Sequence, residues 1–302
     1  MVDQVTVQKQ VVVQEGKLKD FCNKVWMKLG VPVRDAKITT DVLVLADLRG
    51  IESHGVARLP RYYADLKNGW TKPADQSKIV KETKATAMID GGQSLGQVVG
   101  HKGMELAIKK AKETAVGIVS VRNSHHYGIA GYYSLMALQH DLIGMSMTNA
   151  APLVVPTFGR NAILGTNPIS LTAPAEKEKA FVLDMATSVV PRGKDVLSGV
   201  LSGAATGLGV DVIKEKPNVG HFFMALDPAA FRPLGEFKRD MDRLARELKE
   251  SPKAEGQSRI YVHGEKSYAR MEKFQKEGIP LSGKVVEAMR QVGTEIGVPW
   301  LG

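Results

Sequence analysis

Apolar residues recur at two spacings along the chain, and the switch between them marks out the elements. Leu18, Phe21, Cys22, Val25, Trp26 and Leu29 follow the three- and four-residue steps of one helix face and stop at Gly30. A second helix is predicted from about Asp35 to Leu48, ending at Gly50. Leu59, Tyr62, Tyr63 and Leu66 mark a third, with Pro60 in its first turn and Asn68-Gly69 closing it. Ahead of these, Val5, Val7, Val11 and Val13 alternate like a strand or a strand-like arm within residues 1–14. The first seventy residues therefore read as mainly helical.

Beyond them the period shortens. Thr86–Asp90 reads as a strand before Gly91-Gly92-Gln93-Ser94-Leu95-Gly96, and a helix runs over Gly100–Thr114. Gly117–Val121 is a β-branched run, followed by the polar turn Arg122-Asn123-Ser124-His125-His126. Gly128 and Gly131 flank the start of an apolar helix, Ala130–His140, and Leu142–Thr148 is a second strand. Strand, turn, helix, strand is a βαβ pattern, which places chemistry at the carboxyl ends of strands. Further strands are predicted at Phe181–Asp184, 219–226 and Ser258–His263, with helices through Phe237, Met241, Leu244 and Leu248, near 266–276, and at 283–296. The small-residue tract Leu197–Gly209 suits a closely packed helix or loop. The whole predicts an α/β protein in three consecutive parts, residues 1–80, 81–235 and 236–302.

Composition narrows the picture modestly. At 302 residues with 43% hydrophobic and 24% charged positions, the chain can bury a sizeable core. No apolar run approaches the ~20 residues of a membrane helix, and no basic-then-apolar leader opens it. The single Cys22 cannot form an internal disulfide; it fits a reducing cytoplasm and reads as core filler. The formal charge of +9 raises nucleic acid as a partner, but the basic residues are scattered rather than gathered with aromatics. Lys109, Lys110 and Lys112, the densest group, are expected to face water near a helix end. A modest positive field also steers anionic substrates or a dinucleotide.

Two stretches carry candidate chemistry. Asp47-Leu48-Arg49-Gly50-Ile51-Glu52-Ser53-His54-Gly55-Val56-Ala57-Arg58 crowds two arginines, a serine and a histidine beside two glycines. His54 and Arg58 stand four apart and share a face if the helical turn continues. Arginine can clamp the carboxylate of a 2-oxo acid in two-pronged fashion while histidine protonates the ketone oxygen as hydride arrives. Arg58 would depress the His54 pKa unless a carboxylate compensates, and Asp47 is chosen over Glu52 for that part. The same residues also read as a helix-terminal salt-bridge cluster. His125 and His126 sit at a predicted strand end, where imidazole can pass protons near neutral pH, though turn histidines bonded to carbonyls would look the same. Thr148-Asn149-Ala150-Ala151-Pro152 and Gly165-Thr166-Asn167-Pro168 are polar turns that suit a nicotinamide amide or a phosphate, and equally suit being ordinary turns. No Gly-x-Gly-x-x-Gly follows a strand.

The segments DLRGIESHGVARLPRYY, NSHHYGIAGYY, TNAAPLVVPTFG, LGTNPIS, FVLDMATS, GHFFMALDPAAF and GEK…EGIPL, in this order over nearly the whole chain, resemble the malate/L-lactate dehydrogenase family. The resemblance implies a mixed-sheet, non-Rossmann dehydrogenase fold with a helical N-terminal lobe carrying part of the substrate site, a central cofactor-binding region, and assembly as a homodimer. It implies hydride transfer between NAD or NADP and a small 2-hydroxy acid, most readily malate/oxaloacetate, with lactate, sulfolactate and ureidoglycolate as alternatives. By motif, His54 corresponds to the proton donor and Arg58 to the substrate-carboxylate partner, with Ser53 beside them and Arg49, in the same segment, as further substrate-binding residues. His126 corresponds to a second family histidine, the catalytic base in some members, and is the other catalytic candidate; with His54 taken as donor, His126 positions substrate and nicotinamide, and His125 is only its neighbour. Cofactor contacts map onto Thr148, Asn149, Asn167, Asp184, Met185, Ala186, Thr187, Ser188, His263, Gly264 and Glu265. One departure stands out. Where the family continues for several dozen residues, including a stretch that helps hold the cofactor, Lys194 here runs straight into Asp195-Val196-Leu197. The family-like flanks lead us to expect a segment left out of the sequence; a true deletion would leave an inactive dinucleotide- or anion-binding scaffold.

Overall fold

The computed structural model describes residues 10–155, 157–186, 195–206 and 218–301. They form two units, one from the two ends of the chain (to Gly69 and from Ser267) and one from Trp70–Lys266. This division differs from three consecutive parts: the last helix belongs with the first ones, and residues 236–266 belong with the sheet.

In the first unit, strand β1 (Gln10–Val13) leads into helices α1 (Glu15–Lys28) and α2 (Val33–Leu48). The stripe read from the sequence is the buried one: Leu18, Phe21, Cys22, Val25 and Trp26 all face inward. Gly30 (φ 82°) makes the left-handed turn out of α1. Helix α2 is apolar around most of its circumference and buries Ile38, Val42, Leu43, Val44 and Ala46, as a core helix must. Two short 3-10 turns, Glu52–His54 and Val56–Arg58, precede α3 (Leu59–Lys67).

In the second unit a seven-stranded sheet has the order β2-β3-β4-β8-β5-β6-β7, formed by Lys78–Glu82, Thr86–Asp90, Val116–Ser124, Val219–Leu226, Ile143–Thr148, Ile169–Ala173 and Phe181–Met185. Among the described strands of this sheet, only the β3–β4 pair is parallel. Helices α4 (Gly96–Thr114) and α5 (Ala130–Leu138) lie on it, over a core of Ile89, Val99, Met104, Val119, Val121, Tyr127, Tyr133 and Phe223. The predicted βαβ unit is present in modified form. β4 and β5 run the same way, but β8 is inserted between them, antiparallel to both. Their carboxyl ends therefore flank the start of β8.

Helix α6 (Leu234–Glu250) follows, then α7 (Glu265–Glu277), whose first two residues fall in the second unit. Back in the first unit, β9 (Ile279–Ser282) pairs antiparallel with β1, setting Ile279 opposite Val13. Helix α8 (Gly283–Ile296) starts at Ser282, whose hydroxyl accepts from Val285 N–H, and ends at Gly297 (φ 73°).

Two expectations need correcting. Lys110 does not face water: it is 5% exposed, and its ammonium is bonded to Glu82 Oε1 (2.8 Å) and Thr83 O (2.7 Å), tying α4 to the β2–β3 turn. Burial of a lysine is tolerable only with such partners. Residues 258–263 form no strand. They lie beside the outermost strand, β7, with a Val182 N–H to His263 O bond of 3.3 Å, and their alternating residues stay mostly exposed.

Candidate functional site

The Asp47–Arg58 segment does not continue α2. Gly50 (φ 73°) breaks the helix, and the chain then makes the two 3-10 turns on either side of Gly55. What fixes this path is Asp47, buried at the end of α2, whose Oδ2 accepts from Val56 N–H at 2.8 Å. Gly55 lies directly on that carboxylate: a Cβ there would fall 1.9 Å from Oδ1. Asp47 thus pins the loop carrying His54, a different part from the carboxylate chosen to compensate the imidazole charge. Gly55→Ala is expected to cost at least ~1–3 kcal/mol through forced displacement of Asp47. Thermal unfolding beside the exposed-site control Ala57→Ser checks it.

On this loop, Ser53 joins the two candidate substrate groups. Its hydroxyl lies 2.9 Å from His54 Nδ1, and its carbonyl accepts from Arg58 Nε–H at 2.7 Å. Nε2 is then the imidazole edge suited to a substrate oxygen, and the guanidinium is oriented by its own turn. Burial, and next the nearby Arg58 charge, hold the His54 pKa below its ordinary value. Arg49, expected at the substrate, is buried, bonded to Ser267 Oγ at 2.7 Å, and stacked over the Tyr268 ring at 4.9 Å.

Burial also pushes the Asp47 carboxyl up to about 7, against the opposing pull of Val56 N–H. A carboxyl raised in the folded state holds its proton where the unfolded chain has released it. Stability is therefore expected to fall as pH rises from about 4 to about 7, then level off. Asp47→Asn keeps an acceptor for Val56 N–H without the charge. It should flatten the slope between these limits in denaturant titrations at several pH values; an unchanged slope would assign it to another group.

In the second unit, polar residues line the carboxyl ends of β4 and β5. His125 is buried between Thr71 Oγ1 (3.2 Å) and Gln93 Oε1 (3.1 Å), a structural position. His126 is half-buried, and its Nδ1 accepts from Gly128 N–H at 3.2 Å, so the neutral ring carries its proton on Nε2. Asn149 bonds Gly220 N–H through Oδ1 (3.0 Å) and Ala205 O through Nδ2 (2.6 Å); Asn167 Oδ1 accepts from Ala150 N–H (2.9 Å). Asp184 Oδ2 accepts from Gly131 N–H at 2.9 Å, placing a negative charge at the start of α5. Met185 and Ala186 are exposed at the end of β7, while Thr187 and Ser188 lie outside the described residues. The His263 ring meets Phe181 edge-on, Gly264 (φ 96°) packs on Val182, and Glu265 is ion-paired with Lys249 and Arg259.

His221, to which the sequence reading gives no role because no cationic partner stands four residues on, is fully buried in β8 and connects Ser124 and Thr148. The available signal was a lone titratable residue heading the apolar run GHFFMAL.

The seven-stranded mixed sheet, with no Gly-x-Gly-x-x-Gly after a strand in the sequence, is not the Rossmann arrangement. The malate/L-lactate dehydrogenase family model matches residues 13–194 and 195–290, and the chain belongs to that family. It is 43% identical to the malate dehydrogenase of Pyrococcus horikoshii, over 96% of each chain. The solved structure of that species' malate dehydrogenase superposes with a TM-score of 0.92, covering 96% of this chain and 97% of the other. Sulfolactate dehydrogenase from Methanocaldococcus jannaschii superposes at 0.88, with 37% identity and coverage of 96% and 98%. Ureidoglycolate dehydrogenase of Escherichia coli is 28% identical over 83% of this chain and 87% of its own. The Pyrococcus alignment spans 348 positions, more than the 302 residues of this chain. The family match breaks between Lys194 and Asp195, which are consecutive in the sequence.

Proposed function

We propose that the protein is an NAD(P)-dependent dehydrogenase interconverting a small 2-hydroxy acid and its 2-oxo acid, with malate/oxaloacetate as the preferred pair. The observation that carries this reading is the Ser53-centred loop, which holds a cation and a proton-carrying ring on one short turn. Arg58 takes the substrate carboxylate, and His54 gives its Nε2 proton to the oxygen during reduction and recovers it during oxidation. A nicotinamide dinucleotide supplies or accepts the hydride. His126, at the carboxyl end of β4, serves the reacting end where substrate and nicotinamide meet, and Thr148, at the carboxyl end of β5, serves the rest of the dinucleotide; Asp184 is engaged at the start of α5. The exposed Met185 and Ala186, at the end of β7 two strands from β5, offer further main-chain groups at the same end of the sheet.

Steady-state rates with NADH and NADPH across oxaloacetate, pyruvate, sulfopyruvate and oxalurate test the proposal. The highest kcat/KM is expected with oxaloacetate, and no turnover with any member would sink it. The break at Lys194–Asp195 favours a second reading, a scaffold that binds dinucleotide or anions without turnover. Calorimetric NADH binding combined with no turnover across the panel would select it. We further propose a homodimer in a reducing cytoplasm. The arm around Val154 and Leu164 exposes Leu153 and Phe158 to solvent, an apolar surface that a second copy can cover, and light scattering gives the mass that decides.

A further inference from the structure

A buried polar chain crosses the centre of the sheet. His221 stands opposite Val121 of β4 and Thr148 of β5 in the strand register. Its Nδ1 lies 2.9 Å from Thr148 Oγ1 and its Nε2 2.9 Å from Ser124 Oγ. The ring stacks on Tyr127 with centroids 4.4 Å apart and planes 2° from parallel. Thr148 Oγ1 also lies 3.0 Å from the carbonyls of Gly220 and Asn149. A hydroxyl can donate or accept, so the ring is partnered in either neutral tautomer. Full burial holds it neutral, with a pKa of about 3.

Packing alone does not call for an imidazole here. Phenylalanine would fill the same stack and bury no polar nitrogen. What imidazole adds is a connection of fixed length between two strand ends. β4 ends at Ser124, directly before His125 and His126; β5 ends at Thr148, directly before Asn149. Because β8 separates these strands, no direct β4–β5 ladder sets their spacing.

We propose that His221 is a positioning residue, a cross-brace that sets the spacing between His126 and Thr148. The proposal rests on the reading that these two residues serve a 2-hydroxy acid and its nicotinamide partner. His126 then belongs to the reacting end and Thr148 to the dinucleotide end, and the brace acts on both through separate nitrogens.

Two half-replacements separate the nitrogens. Asparagine places its amide near the Nδ1 position and keeps Thr148, while glutamine reaches the Nε2 position and keeps Ser124. His221→Asn should lower kcat ~10-fold or more with the NADH Kd, measured by fluorescence titration, within ~2-fold of the parent. His221→Gln should do the reverse, raising the NADH Kd ~10-fold with kcat at saturating cofactor within ~2-fold. Parallel changes in both parameters, or none in either variant, would reduce His221 to packing. If a variant fails to fold, Ser124→Ala removes the same brace contact from the other side and should lower kcat with the NADH Kd within ~2-fold of the parent, an unchanged kcat counting against the brace. If the parent chain neither binds NADH nor turns over, the functional reading fails while amide hydrogen exchange still tests the brace. His221→Asn should then lose protection at Ser124 and His125, and His221→Gln at Thr148 and Asn149. Uniform loss, or none, would overturn it.

Discussion

His54→Ala is expected to lower kcat by ~10²–10⁴-fold while leaving NADH affinity nearly intact. Reduction of a 2-oxo acid places negative charge on oxygen, and a proton must be in reach as that charge develops. Ser53 engages His54 Nδ1, so on the proposed reading Nε2 is the nitrogen that donates. Burial and Arg58 disfavour the charged ring before substrate arrives. A carboxylate bound by Arg58 cancels the second cause, so the imidazole takes up its proton most readily in the substrate complex. This gives a pH signature. A donor is active when protonated, so reduction should fade as pH rises through its pKa. The fade in kcat/KM, which reports free enzyme, should come at lower pH than the fade in kcat, which reports the complex. His125→Ala should leave kcat almost unchanged while lowering stability, because His125 is bonded to Thr71 and Gln93. Retained turnover in His54→Ala with abolished turnover in His126→Ala, at unchanged cofactor affinity, would transfer the donor role to His126.

The sequence was most legible where local periodicity coincides with burial. The stripe from Leu18 to Trp26 predicts the buried face of α1, and residues 283–296 bound α8 as read. It was less legible where distant segments decide the outcome. The residues of β4 and β5 describe a βαβ unit correctly, yet nothing local to them tells that residues 219–226 insert between the two strands. Lys110 looks like one of three solvated lysines until Glu82, 28 positions away, meets it under a helix. Residues 258–263 alternate like a strand but form none, which shows that alternation alone does not secure a place in a sheet.

The candidate site divides in the same way. The grouping of Ser53, His54 and Arg58 was readable because all three lie in one short segment, although Gly55 replaces the expected continuous helix with two tight turns. The work of Asp47 beneath that turn depends on the fold around it: the residue looks like a charge partner and is instead a buried clamp on Val56 N–H. His221 was invisible as a functional candidate because its partners, Ser124 and Thr148, lie 97 and 73 positions away.

Arg58→Lys is the substitution expected to separate substrate recognition from cofactor recognition most sharply. The guanidinium has a rigid plane, and its Nε–H is already committed to Ser53 O at 2.7 Å. That bond orients the fork and leaves the terminal nitrogens to meet both oxygens of a carboxylate. Lysine carries the same charge on a single rotatable ammonium. It cannot hold Ser53 O and grip a carboxylate at two points, so charge is kept while geometry is lost. Losing such a charge-assisted pair should cost about 2–3 kcal/mol in kcat/KM, or roughly 30- to 150-fold. Most of that loss should appear as a raised KM for the 2-oxo acid, with the KM for NADH unchanged. A smaller share belongs to kcat, because a loosely held carboxylate lets the ketone oxygen wander from His54. Full-length steady-state kinetics on both substrates resolves these shares. Unchanged kinetics in Arg58→Lys would remove Arg58 from the substrate site and leave its bond to Ser53 as a structural feature of the turn.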